Sequence, residues 1–340
     1  MPVPPAPPLQ FEVTKVDDPY HCTTLTSPTA GMLSMYRRPL PSTNLGFLST
    51  IMFDGREPSL QSQAMDATLT HAQGNPPGPT MDQVNQIVAF ETGIASKTGI
   101  FTAQVFDNEA HSLHARNATG GPRALFAELS KFFIGINDPI NPPGGVFDPN
   151  IFDLYKPWQS LRGEDEDDET QARLSIARGE EVFNTTNINI TGVAGLNDDL
   201  NMPTIAGFCG TCHDTPNVGN HSVKAPLNIG IANAGGANNP LPPALDISGL
   251  PVFTLTCTAG PLAGQTFVVT DPGRALISGQ CKDIGRVKGP ILRGLAARAP
   301  YFHNGSAATL LDAVNFYDQR FNIGFADQQK EDLVNFLKTL

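Results

Sequence analysis

Phe208-Cys209-Gly210-Thr211-Cys212-His213 constrains this chain more than any other stretch. Two cysteines three positions apart, followed at once by a histidine, let both thiols add to the vinyl groups of one haem while the imidazole reaches the iron. A redox dithiol does not need the histidine. A zinc site of the usual kind needs a second close pair of ligands, and the remaining cysteines, Cys22, Cys257 and Cys281, form none. The motif therefore reads as a covalent haem c site, with Cys209 and Cys212 as the attachment points and His213 as the proximal iron ligand.

The chain has 340 residues, room for two domains of ordinary size. Its 32 glycines and 30 prolines predict much loop and short helices. A net charge of -11 argues against nucleic acid and anionic membranes as partners, and allows a basic redox partner. No apolar run approaches the length of a membrane span. The opening Met1-Pro-Val-Pro-Pro-Ala-Pro-Pro has neither the basic start nor the apolar core of a signal peptide, and reads as polyproline. Haem is attached to such a motif outside the cytoplasm. The expectation is thus a periplasmic or otherwise exported protein whose chain here starts downstream of its natural N-terminus. An oxidising compartment also suits a Cys257–Cys281 disulfide, with Cys22 left over.

Residues 1–50 read as irregular. A helix is expected over 58–73, carrying Gln63 and ending near His71 and Gln73 before the Gly74–Pro79 turn cluster. Thr80 with Gln83 is a capping box for a helix to about residue 96. The stretch 97–106 is ambiguous, 122–134 is an amphipathic helix, and 137–150 is turn-rich. The acidic run 164–169 is a solvated linker leading into a helix N-terminus. It divides an expected 1–165 domain from an expected 166–340 domain. A helix over 171–184 precedes the haem motif. After a long loop, 252–258 and 266–270 form a hairpin. Helices over 309–319 and 327–340 close the chain.

The far side of the iron is constrained by counting. Methionine is the common partner of histidine in c-type haem. All seven methionines (Met1, Met32, Met35, Met52, Met65, Met81 and Met202) precede His213. The downstream donors are His221, His303, Tyr301 and Tyr317. His221, eight residues from His213, is poorly placed to reach the opposite face. Tyr317 shares a helical face with Leu310, Ala313 and Val314, which fits a core tyrosine as well as a ligand. A phenolate would favour ferric iron and higher states, where a thioether favours ferrous iron.

Several blocks together resemble one family: Phe53-Asp-Gly-Arg56 with Ser59-Leu60 and Gln63-Ala64, the haem motif, Leu292-Arg293-Gly294, and Ala299-Pro-Tyr-Phe-His-Asn-Gly-Ser306. The chain is similar, from about Arg37 to Leu340, to the bacterial di-haem cytochrome c peroxidases and the related MauG-type enzymes. The resemblance implies a mainly α fold of two cytochrome c-like domains with long loops and a small β-hairpin insertion. It implies an N-terminal haem that reacts with peroxide and a C-terminal haem that feeds it electrons. It puts Tyr317 at the distal-ligand position, where MauG-type enzymes carry tyrosine and the peroxidases carry methionine. Arg293, Tyr301 and His303 come in as haem-pocket residues.

The same resemblance assigns Gln63 to the peroxide pocket and puts Gln73 where the family has a catalytic glutamate. His71 stands two residues away and can carry protons near neutral pH. Phe53 stands in place of an inter-haem tryptophan. Pro300 matches part of a calcium site, with Arg38 near the usual asparagine ligand. Hydrogen peroxide is the implied substrate, a small redox protein or a quinol-type molecule the implied electron donor, and a homodimer the implied assembly. No second CxxCH occurs in the chain. The N-terminal domain is therefore expected to be incomplete, with a second haem site upstream. The competing reading is a mono-haem electron-transfer protein with a haem-less first domain.

Overall fold

The computed structural model describes residues 8–22, 34–41, 45, 48, 50–93, 148, 155–162, 168–213, 226–292 and 294–340. The expected helix over 122–134, the ambiguous 97–106 and nearly all of 137–150 lie outside them, as does most of the acidic run.

The first described element corrects the expectation that residues 1–50 are irregular. Phe11–Asp17 is a strand, β1. Its sequence, Phe-Glu-Val-Thr-Lys-Val-Asp, carries the β-branched and aromatic residues that strands favour. Only Phe11 is buried along it, so the alternation of a half-buried strand is weak. β1 is held instead by backbone pairing with a strand far along the chain, and its register shifts between Val13 and Lys15. Next come α1 (Leu60–Asp66), capped by the Ser59 hydroxyl accepting from the Ser62 N–H, a π turn at Ala67–His71, and α2 (Met81–Gly93). Thr80 and Gln83 form the expected capping box, each side chain accepting from the other's backbone N–H.

The C-terminal body begins with a 3₁₀ turn at Lys156–Ser160 and the long helix α3 (Asp168–Thr185). A short two-stranded sheet follows, β2 (Ile188–Thr191) against β3 (Thr204–Gly207). The haem motif itself is the one-turn helix α4 (Cys209–Cys212). β4 (Val252–Cys257) and β5 (Thr266–Val269) form the expected hairpin, and β1 extends it to a three-stranded sheet in the order β1-β4-β5. The Cys257–Cys281 disulfide staples that sheet to the turn after α5 (Ala275–Ser278). α6 (Leu310–Phe321) and α7 (Asp327–Leu337) complete the chain.

The main core lies where α7 crosses α3, the helix pairing expected of a cytochrome c-like fold. Phe183, Phe336, Tyr155 and Trp158 pack through it tilted or edge-on, with ring centroids 5.0–6.1 Å apart from pair to pair. Tyr155 and Trp158, ahead of the expected boundary at 165, thus belong to the same cluster as α3 and α7. Gly179 permits the close approach. A methyl group there would overlap the Asp332 carbonyl oxygen and come within 2.6 Å of Phe336 Cβ. Beside it the Asp332 carboxylate accepts from Arg178 at 2.7 and 2.9 Å and from Ser175 at 2.6 Å. Burial raises the Asp332 pKa, but these donors outweigh it and hold the carboxyl below its usual value.

A second lock ties the N-terminal segment to the C-terminal body. Arg37 donates to Asp271 at 2.6 and 2.9 Å and to Asp54 at 2.6 Å. Both carboxylates are almost fully buried. Burial opposes the Asp271 charge, yet His303 and Arg37 overcome it and hold the carboxyl well below the carboxylate range.

Two outcomes are expected. Gly179→Ala should destabilise the fold by about 1–3 kcal/mol or more, because the added methyl forces α3 and α7 apart. Urea denaturation should show this as a lower midpoint at unchanged slope. Arg37→Met should cost about 3–5 kcal/mol, since it takes the arginine from buried Asp271, while Asp54 keeps Arg56 at 3.1 Å. Asp271 is depressed in the fold, so the stability it contributes is present above the unfolded carboxylate value of about 3.9 and is lost as pH falls below it. Thermal melts from pH 7 to pH 3 should therefore fall less steeply in Arg37→Met/Asp271→Asn than in the wild type.

Candidate functional site

The haem motif is fixed by Thr211 within it and Gly207 just ahead of it. Thr211 is fully buried, and its hydroxyl accepts the Phe208 N–H at 2.9 Å. Gly207 lets that hydroxyl in: a Cβ there would stand 2.8 Å from both Thr211 Oγ1 and Ile190 Cδ1. The turn closes with the His213 N–H donating to the Cys209 carbonyl at 3.0 Å. As a result Cys209, Cys212 and His213 all line one large cavity.

That cavity has a volume of about 200 Å³ and opens to solvent, against about 300–1,000 Å³ for common ligand pockets, so its case as a macrocycle site rests on its lining. Its walls come from β2, the 227–231 segment, α6 and α7, and are overwhelmingly apolar. Burial pushes Cys209, His213, Lys288 and Tyr317 towards neutrality. The His213 imidazole is lowered to about 4, and its Nδ1 is buried without a hydrogen bond. The Cys209 thiol is pushed up to about 12, first by burial and then by Cys212. Reactive dithiols have lowered thiol pKa values, so the electrostatics oppose a redox dithiol.

Tyr317 enters the cavity from α6. That helix starts at a Thr309–Asp312 capping box and is clamped at its far end by Arg320, which donates to the carbonyls of Ile229, Thr191 and Gly192 at 2.9 Å. The Tyr317 ring lies 6.4 Å from that of His213, centroid to centroid, with the planes at 83°. Its hydroxyl makes no hydrogen bond among the described residues. Burial raises the phenol above its ordinary value, with further push from Cys212 and Cys209. Phe302 packs on Tyr317 from a left-handed backbone, φ +67°, which a bulky residue keeps only under external constraint.

The other expected site residues separate into three groups. Tyr301 and His303 line the same cavity. The Tyr301 hydroxyl is committed to the Leu295 carbonyl at 2.8 Å. His303 is buried, with Nε2 3.5 Å from Asp271 Oδ2, too far for a good hydrogen bond. Arg293 and His221 lie outside the described residues. Gln63, His71 and Gln73 do not line the cavity. Gln63 is half-buried on α1, His71 is exposed at the end of the π turn, and Gln73 is exposed with φ +52°. At the expected calcium position a guanidinium stands instead: Arg38 donates to the Arg298 carbonyl at 3.2 Å. Among the described residues no cluster of three carboxylate, histidine or cysteine groups could hold a cation. Sequence reasoning gave no role to Lys288, which also lines the cavity. A lysine inside the apolar run Val287–Ile291 was the available signal.

No protein-family model matches the chain. Among characterised proteins, cytochrome-c peroxidase IdrP1 of Denitromonas iodatirespirans is 37% identical over 70 residues, 17% of this chain and 19% of that protein. IdrP1 of Pseudomonas sp. (strain SCT) is 33% identical over 81 residues, 21% of each. Over that stretch the chain is similar to cytochrome-c peroxidases. The matched stretch spans about a fifth of the length of these peroxidases. Among solved structures, a MauG-like protein associated with microbial copper homeostasis aligns over 90% of this chain and 78% of its own, at 16% identity and a TM-score of 0.38. That likeness is too loose to place any residue.

The cavity fits the c-type haem that a cytochrome-c peroxidase relative implies. It offers two thiols for attachment, a neutral imidazole, and a phenol whose hydroxyl makes no hydrogen bond among the described residues. The residues that would hold the group are Cys209, Cys212, His213 and Tyr317. In haem-loaded protein, Tyr317→Phe should remove one coordination position, seen as loss of the six-coordinate ferric spectrum. In the haem-free chain stability should change by less than about 1 kcal/mol, because that hydroxyl makes no hydrogen bond among the described residues. An unchanged spectrum would move the distal position to another donor, His303 first.

Proposed function

We propose that this chain is the haem-bearing part of an oxidoreductase of the di-haem cytochrome c peroxidase/MauG type. It passes electrons through a covalent haem c to a peroxide-reactive site. The observation that carries this reading is the shared apolar cavity, which gathers both motif thiols, the His213 imidazole and the Tyr317 phenol. When bound, the haem supplies one-electron chemistry with a potential set by its axial ligands and surroundings.

The chain's own residues supply the rest. Cys209 and Cys212 hold the group covalently, so it is kept through turnover. His213 presents a neutral imidazole, the form that binds iron, because burial keeps it unprotonated. Buried Tyr317 keeps its proton until a cation beside it compensates the phenolate charge. The apolar walls exclude water and strengthen every charge interaction inside. At the peroxide-reactive site, Gln63 orients the peroxide. His71 takes the role of the absent carboxylate as proton carrier, and Gln73 contributes a neutral hydrogen-bonding amide. A small redox protein or quinol-type molecule is the electron donor. Export to the periplasm follows from covalent haem attachment and agrees with the Cys257–Cys281 disulfide. No described helix is long and apolar enough to cross a membrane.

The deciding measurement is a haem count. Protein expressed from the complete genomic reading frame, assayed as the pyridine haemochrome, should carry two haems per chain and change its spectrum on peroxide addition. One haem, with no response to peroxide, would instead identify a mono-haem electron carrier.

A further inference from the structure

Lys288 is a charge in apolar surroundings. It is 3% exposed and lines the same cavity as His213 and Tyr317. Among the described residues its ammonium meets no carboxylate. Its one side-chain hydrogen bond is a 3.3 Å contact to the carbonyl of neighbouring Gly289. The backbone is fixed by the Lys288 N–H, which donates to the Phe53 carbonyl at 2.7 Å. Burial alone lowers the side chain to about 8, with no nearby negative charge acting against it. The group is therefore still mostly protonated at neutral pH. The contrast with the other buried cations is sharp. Arg37 has two carboxylates, and Arg286 has Asp198, Asp199 and Asp283 within 3.3 Å.

A buried cation without a counter-ion is costly, and chains tolerate it where an anion is delivered to it. The occupant of this cavity must be mostly apolar to suit the walls and must carry at least one anionic group to suit Lys288. A porphyrin with propionate side chains has both properties. A Schiff-base role would need a carbonyl substrate in the space beside the haem thiols, and nothing in the lining recognises one. We propose that Lys288 receives one propionate carboxylate of the porphyrin held by Cys209 and Cys212. This rests on the haem reading above. The pair would anchor the macrocycle at its polar edge, away from the thioether edge. The ammonium would also favour the less positive ferrous state, opposing the pull of a phenolate ligand towards ferric iron.

The test uses full-length haem-loaded protein. Spectroelectrochemistry on wild type, K288M and K288R, with pyridine haemochrome counts alongside, should place K288M at a lower reduction potential and K288R near the wild type. A K288M potential equal to the wild type's overturns the proposal, as does an equal fall in both variants, which would make the lysine a packing element. A second measurement needs no variant. Carbodiimide treatment of the wild type should join the haem-bearing 209–213 peptide to the peptide containing Lys288 with loss of one water. The Asp318–Lys330 pair, at 2.6 Å, serves as internal standard. Formation of that standard without the haem link overturns the proposal. A wild type carrying no haem at Cys209 and Cys212 refutes the haem reading itself, and the haemochrome count separates that failure from a failure of Lys288 alone.

Discussion

The close crossing of α3 and α7 at Gly179 governs the geometry of the cavity. Phe183 from α3 and Leu333 and Leu337 from α7 all reach the cavity wall, and their reach is set by how closely the two helices approach. Asp332 fixes the register of that approach, because one buried carboxylate takes hydrogen bonds from Ser175 and Arg178 on the facing helix. A sliding of one turn would strand the carboxylate in the core, an error of several kcal/mol. Packing alone permits neighbouring registers, since apolar side chains of similar volume interchange at small cost. The polar lock selects one, and with it which side chains wall the cavity.

Inside that wall, burial sorts ionisable groups by what they can become. Histidine goes neutral, phenol and thiol stay protonated, and all three are driven the same way by loss of water. A neutral imidazole is a ready ligand, whereas a buried phenol needs a cation before its oxygen can carry charge. The two faces of the site are thus unequal before anything binds. With haem bound, a neutral His213 would suit ferrous and ferric iron alike, and the Tyr317 phenol would answer to the extra positive charge of ferric iron. A single apolar environment creates this asymmetry without a dedicated partner for either group.

The sequence carried the parts of this site that depend on local spacing. Cys209, Cys212 and His213 were legible because attachment chemistry fixes their separation, and Tyr317 became a candidate because no methionine follows the motif and helical period put it on an inward face. The capping box at Thr80, the helix over 309–319 and the β4–β5 hairpin were legible for the same reason. What stayed hidden depends on distance along the chain. β1 pairs with β4 across some 240 residues, and its mostly exposed side chains leave little alternation to read. Arg37 meets Asp271 across 234 residues, which no local pattern announces.

Lys288 marks the limit between these cases. Its neighbours Val287 and Ile291 are buried, so the sequence shows a cation within an apolar run, yet says nothing of which way it faces. A lysine stem is long enough to carry its charge to the surface from most core positions. Here the Lys288 backbone is tied to Phe53 and the side chain remains inside. Whether a buried lysine reaches solvent is decided by such tertiary anchors. Its retention in a cavity that neutralises histidine, phenol and thiol makes it the position where an anionic edge of a ligand gains most.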